Sequence, residues 1–301
     1  MRIVVAGASG LIGRSVVAGL RAKRHDVFRL VRGIDSGGDA VPWNPAAQTL
    51  DSVAIDGADV LVNLAGESIA GGRWTSGRRR RILRSRIDAT RTLVSAISGT
   101  TIRPRVLINA SAIGYYGDRG GETLTETSAN GRGFLAEVCR EWEAEATKAE
   151  AHGVRVVLLR FGIVLSSEGG ALAQMLPLFK SGFAGRLGSG RQWMSWIHID
   201  DVVGVIASAL SDPIYTGPLN VVTPGPVTND DFTRTLAYVL HRPAVLPAPA
   251  WALRLAFGRM ADEALLASAR ALPAVLIDRG YPFRFPALDG ALKDVLARGQ
   301  R

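Results

Sequence analysis

The segment RIVVAGASGLIG, residues 2–13, decides the fold that this sequence predicts. Its apolar run at residues 3–6 has no polar alternation, which is typical of a strand buried on both faces. Gly7, Gly10 and Gly13 follow at intervals of three residues, and residues 11–24 then have the apolar spacing of an amphipathic helix. The segment therefore predicts a strand, a tight glycine turn and a helix.

The alternation of strands and helices continues along the chain. Further strands are predicted at residues 27–31, 60–64, 106–110, 154–160, 193–197 and 219–222, and further helices in the arginine-rich segment after residue 64 and at 134–152, 200–210 and 227–240. Strands that alternate with helices form right-handed crossovers in one parallel sheet. The expected fold is α/β, a Rossmann-type doubly wound parallel sheet over residues 1–242, with a smaller helical region at 243–301.

Composition narrows the class of protein. The chain has 301 residues, 47% of them hydrophobic and 21% charged, which is ordinary for a globular enzyme. The single cysteine, Cys139, excludes an internal disulfide. A reducing compartment is consistent with this. No targeting segment or membrane-length apolar run is visible, so we expect a cytoplasmic protein.

The formal net charge is +9, and arginines cluster at residues 78–81, 84 and 86. Basic residues do not alternate with aromatic ones, so we interpret the cluster as a solvated helix face and expect no nucleic-acid partner. The four histidines have no metal-ligand spacing, and we expect no metal site.

The glycine turn predicts a dinucleotide site. In such turns the first glycine permits the tight bend, the second lets a pyrophosphate approach the backbone, and the third lets the helix pack on the strand. The N-terminus of the helix then offers free N–H groups and partial positive charge to phosphates. The alternative is a glycine-rich turn with no ligand.

The second strand indicates which dinucleotide is bound. An NAD site has an acidic residue at the end of this strand. Here the strand ends at Val31 and Arg32, and no carboxylate follows before Asp35. An arginine would bind the 2′-phosphate of NADP(H) through charge-assisted hydrogen bonds. The alternative is that Arg32 is only a solvated strand end.

Several motifs together resemble the extended short-chain dehydrogenase/reductases. More narrowly, the sequence is similar to epimerase-family proteins of the YfcH type, which join an NAD-dependent epimerase/dehydratase domain to a small DUF1731-like domain. The motifs are NLAGE at residues 63–67, SAIGYYG at 111–117, GSGRQWMSWIHIDD at 188–201 and GYPF at 280–283. The resemblance implies substrate-side segments from about residue 166 onward.

The resemblance also implies a set of cofactor contacts. The implied cofactor residues are Gly7, Ser9, Gly10, Leu11, Ile12 and Gly13 at the pyrophosphate, Val31 and Arg32 at the adenosine phosphate, Leu64, Ala65 and Gly66 at the adenosine ribose or the bridge, Arg86 at a phosphate, and Ile163 and Val164 near the nicotinamide.

The sequence departs from an active reductase of that superfamily. The expected Tyr-x-x-x-Lys pair falls on Leu135 and Cys139 when the register is anchored on Glu143. We therefore expect Ser111 and Tyr115 to supply proton chemistry, although Ser111 stands one residue further from Gly117 than is usual. The candidate substrate residues are Glu67, Tyr116, Arg191 and Trp193, and for Tyr116 and Trp193 plain packing is the alternative.

Two functions fit these observations. The first is an NADP(H)-dependent oxidoreductase or epimerase that acts on a small carbonyl or sugar-like molecule. The second is a non-catalytic NADP(H)-binding sensor or regulatory protein. A nucleotide-sugar substrate is not favoured, because Met194 and Ser195 occupy the position where nucleotide-sugar epimerases carry a diphosphate-binding arginine. A homodimer is compatible with either function.

Overall fold

A computed structural model of the chain describes residues 1–33 and 37–299. Asp35, the first carboxylate after the second strand, lies outside the described residues. The strands are β1 Arg2–Ala6, β2 Asp26–Val31, β3 Ala40–Pro42, β4 Val60–Asn63, β5 Val106–Ala112, β6 Thr123–Leu124, β7 Arg155–Phe161, β8 Ile163–Leu165, β9 Trp193–Met194, β10 Trp196–His198, β11 Gly217–Val221, β12 Val227–Thr228 and β13 Arg270–Ala271.

The α-helices alternate with these strands. They are α1 Leu11–Ala22, α2 Ser52–Ile55, α3 Ser76–Ser98, α4 Phe134–Thr147, α5 Gly170–Lys180, α6 Ile199–Ser211, α7 Asn229–Leu240, α8 Ala250–Phe257, α9 Ala274–Asp278 and α10 Leu288–Arg298. Single turns of other helix types lie at Ile113–Tyr116, Lys148–His152 and Ala261–Leu265.

In the described residues the main sheet has seven strands in the order β11-β7-β5-β4-β1-β2-β3, all of them parallel. The order reverses direction between β1 and β4, so the carboxyl ends of these strands open the crevice where α/β sheets bind ligands. The predicted doubly wound parallel sheet is confirmed.

Both faces of the sheet are buried. In β1, Ile3 and Val5 point into one hydrophobic cluster, whereas Val4 and Ala6 point into another. This alternation follows from the period of two along a strand. Helices α1 and α6 cover the first face, and α3 and α4 pack together on the second. Buried faces on both sides explain why the strands are continuous apolar runs.

The region after Phe161 differs in detail from the prediction. The strand predicted at residues 193–197 is wrong as one element, because it divides at Ser195 into β9, which pairs with β12, and β10, which pairs with β8. The Ser195 hydroxyl donates to the carbonyl oxygens of Ala269 and Ala271, at 2.9 and 3.1 Å. The residue at the break between β9 and β10 therefore binds the backbone of the C-terminal region. Helix α5 and strand β8 were not predicted.

The C-terminal region completes a shared core. Strand β13 pairs with β6, and α10 packs against α7. Leu292 of α10, Phe232 of α7 and Trp196 of β10 belong to one buried cluster. Within the described residues, no helix is both long and apolar enough to cross a membrane.

Candidate cofactor and catalytic site

Two glycines of the turn after β1 are required by the fold itself. Gly7 has φ +78°, and a Cβ there would lie 2.6 Å from the backbone of Leu64. A Cβ on Gly13 would lie 2.1 Å from the carbonyl oxygen of Gly7. Because neither glycine has a Cβ, α1 and the end of β4 can pack closely against the end of β1.

Gly10 is under less steric constraint than Gly7 and Gly13. It is the exposed N-cap of α1 with φ −73°, and its Cβ would meet only the Gly7 carbonyl oxygen, at 3.3 Å. No side chain caps the helix, and in the described chain the N–H groups of Leu11, Ile12 and Gly13 donate to no acceptor. Unpaired N–H groups at a helix N-terminus form an anion site. The exposed Ser9 lies beside it. This cradle fits a pyrophosphate.

The end of β2 has two arginines, Arg29 and Arg32, which differ in their partners among the described residues. Arg29 binds Asp39 through Nε and Nη2, at 2.6 and 2.7 Å. Arg29 and Arg21 hold the pKa of the Asp39 carboxyl far below its usual range. Arg32 is exposed, follows the half-buried Val31, and makes no ion pair with any described residue. An open hollow of about 290 Å³ adjoins it, lined by Gly33, residues 42–44 and residues 49–51.

A buried amide network shapes the loop after β4. Asn63 Nδ2 donates to Thr90 Oγ1 at 2.9 Å and to Asn109 Oδ1 at 2.7 Å. Asn63 Oδ1 accepts from the N–H of Ala65 at 3.2 Å. The loop therefore presents Leu64, Ala65 and the exposed Gly66 beside the glycine turn.

The hydroxyl proton of Ser111, at the end of β5, is already engaged in a hydrogen bond. Its buried hydroxyl donates to Glu143 Oε1 at 2.6 Å. Arg160 of β7 binds the same carboxylate at 2.9 Å through Nε and 2.8 Å through Nη2. Burial opposes the charge of Arg160, but the Glu143 carboxylate raises the pKa of Arg160 above its ordinary value. Since the Ser111 hydroxyl donates its proton to Glu143, only its lone pairs are left for a further partner.

The two loop tyrosines have different environments. Tyr116 is fully buried, and its hydroxyl donates to Asn220 Oδ1 at 2.7 Å and accepts from Arg160 Nη1 at 3.0 Å. Burial raises the pKa of Tyr116. In this conformation Tyr116 has no group free for a substrate, as the packing alternative requires. Tyr115 is half-buried, its ring centroid lies 3.6 Å from the Arg160 guanidinium carbon, and its hydroxyl bonds to no described residue.

The positions of the missing acid and lysine face this same region. A Cβ on Gly114 would lie 3.2 Å from Leu135 Cβ and 3.9 Å from Cys139 Sγ. Cys139 also lies beside Ser111, and burial raises the pKa of its thiol to about 11. The thiol is therefore protonated at neutral pH and is no nucleophile.

Arg86 of α3 lies between the loop after β4 and α4. Its Nη1 donates to the carbonyl oxygens of Ile82 and Glu67, at 2.9 and 3.0 Å. Its guanidinium lies 5.0 Å from the ring centroid of Trp142. Arg86 is thus brought to the site, although on the side of Cys139 rather than at the glycine turn.

The remaining predicted residues are dispersed. Glu67 forms an ion pair with Arg81 at 3.5 Å. Arg191 is exposed on a loop beside the start of α7, and its guanidinium forms no hydrogen bond or ion pair with a described residue. The guanidinium carbon of Arg270 lies 4.4 Å from the ring centroid of Trp193, in a cation–π contact. Ile163 and Val164 are half-buried in β8, next to β10.

One cluster has the composition of a metal site but another role. His198, Asp200 and Asp294 offer ligand atoms within 4.8 Å of one another. Arg298 binds both carboxylates, and Arg284 also binds Asp200. The two arginines already neutralise the carboxylates that a metal ion would bind. The cluster fastens α10 to the start of α6.

Sequence reasoning missed Glu143 and Arg160 as partners of Ser111. A signal was present in both cases. Glu143 lies on the apolar stripe of α4 with Cys139 and Trp142, and Arg160 ends the apolar run of β7. A charge on a buried face needs an opposite charge nearby.

Comparison with known proteins agrees with this geometry. The model of the NAD dependent epimerase/dehydratase family matches residues 3–221, and a domain of unknown function (DUF1731) matches residues 248–295. The chain belongs to the NAD dependent epimerase/dehydratase family. The family resemblance expected from the motifs is thereby confirmed.

Individual relatives are similar over the whole length. An epimerase family protein of Mycobacterium bovis is 42% identical over 96% of each chain. The crystal structure of human epimerase family protein SDR39U1 (isoform 2) with NADPH has a TM-score of 0.90 and 31% identity, and covers 99% of each chain. The nucleoside-diphosphate sugar epimerase of Corynebacterium glutamicum has a TM-score of 0.80 and 35% identity, and this chain covers 60% of it.

Proposed function

We propose that this protein binds NADP(H) at the carboxyl ends of β1, β2 and β4. The main support is the cradle at Gly10, where the N-terminus of α1 is exposed and an added Cβ would meet only the Gly7 carbonyl oxygen. Three unpaired N–H groups would hold the pyrophosphate there. Arg32 would hold the 2′-phosphate, since Arg29 is already paired with Asp39. The NADPH bound to human SDR39U1 supports the same choice of cofactor.

Affinities for the two coenzymes test this proposal. Arg32→Glu should weaken NADPH binding by about tenfold to a hundredfold, because it removes charge-assisted hydrogen bonds of roughly 1.5–3 kcal/mol. NADH affinity should stay the same or rise. Arg242→Glu, which makes the same charge change on an exposed residue after α7, is the matched control. Equal NADPH affinity in the wild type and Arg32→Glu would show that the 2′-phosphate assignment is wrong.

We further propose that the site carries out hydride transfer on a small carbonyl or sugar-like substrate. Bound NADPH would supply the hydride. Tyr115 is the residue best placed to exchange the proton, because its hydroxyl is free while its ring rests on the charge of Arg160. Tyr116 would support the loop, and Ser111 would accept a hydrogen bond from the substrate.

One observation favours a second function, an NADP(H)-binding sensor. Leu135 and Cys139 replace the usual acid and lysine, and Ser111 gives its proton to Glu143. Turnover of NADPH across a panel of small carbonyl compounds distinguishes the two functions. For the enzyme, Tyr115→Phe should abolish turnover and leave NADPH affinity unchanged. For the sensor, the wild type should show no turnover while NADPH still raises its melting temperature.

A further inference from the structure

Two neighbouring segments of the chain contain no acidic residue. They are residues 169–199 and 232–261, which carry seven lysine and arginine residues between them, although the whole chain has 27 acidic residues. The segments pack together through α5 and α7, and the N–H of Leu246 donates to the carbonyl oxygen of Ala184 at 3.1 Å. The surface that they build therefore has a net positive charge.

The same two segments expose large apolar side chains. Of the thirteen such side chains that are exposed in the described residues, eight lie in these segments. Helix α8 is the clearest case, because Leu253 is its one buried residue while Trp251 and Leu255, four positions apart, are 69% and 71% exposed. A helix at a protein surface normally turns a polar face to water. An exposed apolar patch indicates an interaction site.

These side chains come together from different parts of the chain. The hydrogen bond from Leu246 to Ala184 holds the loop of Val245 against the loop of Phe183. An isolated bridge between residues 187 and 248 holds the start of α8 beside the same loops. The exposed side chains of this surface, here named the apolar face, are Phe183, Val245, Leu246, Trp251 and Leu255.

Unpaired cations border the apolar face. Lys180 and Arg186 lie on either side of Phe183 in the chain, are exposed, and form no ion pair with any described residue. Their charge favours an anionic partner. A second copy of this chain fits poorly, because a twofold contact pairs identical surfaces and would bring these cations together.

A hollow of about 240 Å³ opens beside the same face. Arg186 and Val245 line it, together with Arg234 and Asp230, which are paired with each other. The buried Thr233 also lines it, and the Thr233 hydroxyl has no hydrogen-bond partner among the described residues. A buried hydroxyl without a partner needs one from outside the protein. A free guanidinium, a hydroxyl and apolar walls together fit the phosphate of a lipid headgroup.

We propose that the apolar face docks on the surface of an anionic lipid bilayer. The side chains of α8 would lie at the level of the acyl chains, while Lys180 and Arg186 would lie among the headgroups. Tryptophan, leucine and basic residues are the combination that interfacial helices use. Side chains that are 50–74% exposed project from the surface and do not line the groove that a partner helix requires. The contact is separate from the proposed NADP(H) site.

Co-sedimentation of the full chain with vesicles tests the apolar part of this surface. The protein should bind phosphatidylcholine vesicles that contain about 30% phosphatidylglycerol at least tenfold more tightly than pure phosphatidylcholine vesicles. Trp251→Ala should weaken binding by about tenfold to a hundredfold, because a large side chain is no longer buried in the bilayer. Ile102→Ala, at a residue that is 65% exposed outside both segments, is the matched control and should change nothing.

Charge reversal tests the basic part. Arg186→Glu should weaken binding by about tenfold to a hundredfold. Arg84→Glu makes the same charge change at an exposed residue of α3 and should change the affinity by less than about twofold. Thr233→Val should weaken binding without lowering the melting temperature, because the hydroxyl loses no partner within the protein.

Three results would overturn the inference. In the first, the wild type does not bind the anionic vesicles; if it then binds polyglutamate through Arg186, the partner is an acidic protein. In the second, Arg84→Glu weakens binding as much as Arg186→Glu, which indicates attraction of the whole basic protein without a defined face. In the third, Trp251→Ala binds vesicles as the wild type does. A dimer in sedimentation velocity that Trp251→Ala dissociates would assign the face to a second copy instead.

Discussion

Gly10→Ala should separate cofactor binding from folding. The backbone at Gly10 has φ −73°, which alanine adopts without strain. The added methyl would meet only the Gly7 carbonyl oxygen, at 3.3 Å, and would otherwise point into open space at the N-terminus of α1. That space is where the pyrophosphate would approach the free N–H groups. The methyl should therefore obstruct the ligand and leave the protein intact.

The two effects differ in size. Alanine is a poorer N-cap than glycine by roughly 1 kcal/mol, but it lowers the entropy of the unfolded chain by about 0.4–1 kcal/mol. These contributions nearly cancel, so the melting temperature should change by less than about 4 °C. Displacing the pyrophosphate would break at least one charge-assisted hydrogen bond of roughly 1.5–3 kcal/mol, which corresponds to a loss of NADPH affinity of about tenfold to a hundredfold or more.

Gly13→Ala provides the matched control. Its methyl would lie 2.1 Å from the Gly7 carbonyl oxygen, so α1 must move away from β1. Overpacking of this kind costs about 1–3 kcal/mol or more, and this variant should melt clearly lower than Gly10→Ala. Thermal unfolding without ligand and fluorescence titration with NADPH measure both quantities. If Gly10→Ala binds NADPH as tightly as the wild type, no pyrophosphate lies at this helix terminus.

Three further predictions follow from the buried groups. Glu143→Gln leaves Arg160 without its counter-ion and should reduce the free energy of unfolding by about 3–5 kcal/mol in urea titrations, whereas an unchanged midpoint would contradict the buried pair. Burial raises the pKa of Glu126 above its ordinary value of 4.5, and its Oε2 has no partner among the described residues. The stability that depends on its proton is thus present below pH 4.5 and lost as pH rises through the folded pKa, so Glu126→Gln should raise the melting temperature at pH 8, by about 2–4 °C for each kcal/mol gained, and have no effect at pH 4. Cys139, the single cysteine, should resist alkylation in the folded protein at pH 8 and react at once in urea; rapid labelling of the folded protein would show that the thiol is not buried.

The sheet could be predicted because its signals are local. Each long strand is an apolar run of its own, and the glycine turn is contained in seven residues. Strand β3 was missed because three residues that end in a proline give no such run. The break at Ser195 was missed for another reason. It depends on hydrogen bonds to Ala269 and Ala271, more than 70 positions along the chain, which no local pattern contains.

The cofactor half of the site could be predicted better than the catalytic half. The free backbone N–H groups and the space at each glycine depend on local conformation. The sequence of residues 7–13 is therefore enough to predict them. The state of Ser111 depends on Glu143 and Arg160, which lie 32 and 49 positions away. Which of two adjacent tyrosines keeps a free hydroxyl likewise depends on Asn220, more than 100 positions away.

The direction of the Ser111 proton constrains any reaction at this site. A hydroxyl that donates to an anionic carboxylate at 2.6 Å has only lone pairs left for a ligand. Those lone pairs can accept from an alcohol or an amide N–H, but they cannot stabilise charge that develops on a carbonyl oxygen. Among the described side chains near Ser111, the Tyr115 hydroxyl and the Arg86 guanidinium still have donor groups without an acceptor. The catalytic capacity of the protein therefore depends on whether these two donors reach the same ligand oxygen. If they do not, Ser111 adds no donor of its own, because its proton is already given to Glu143.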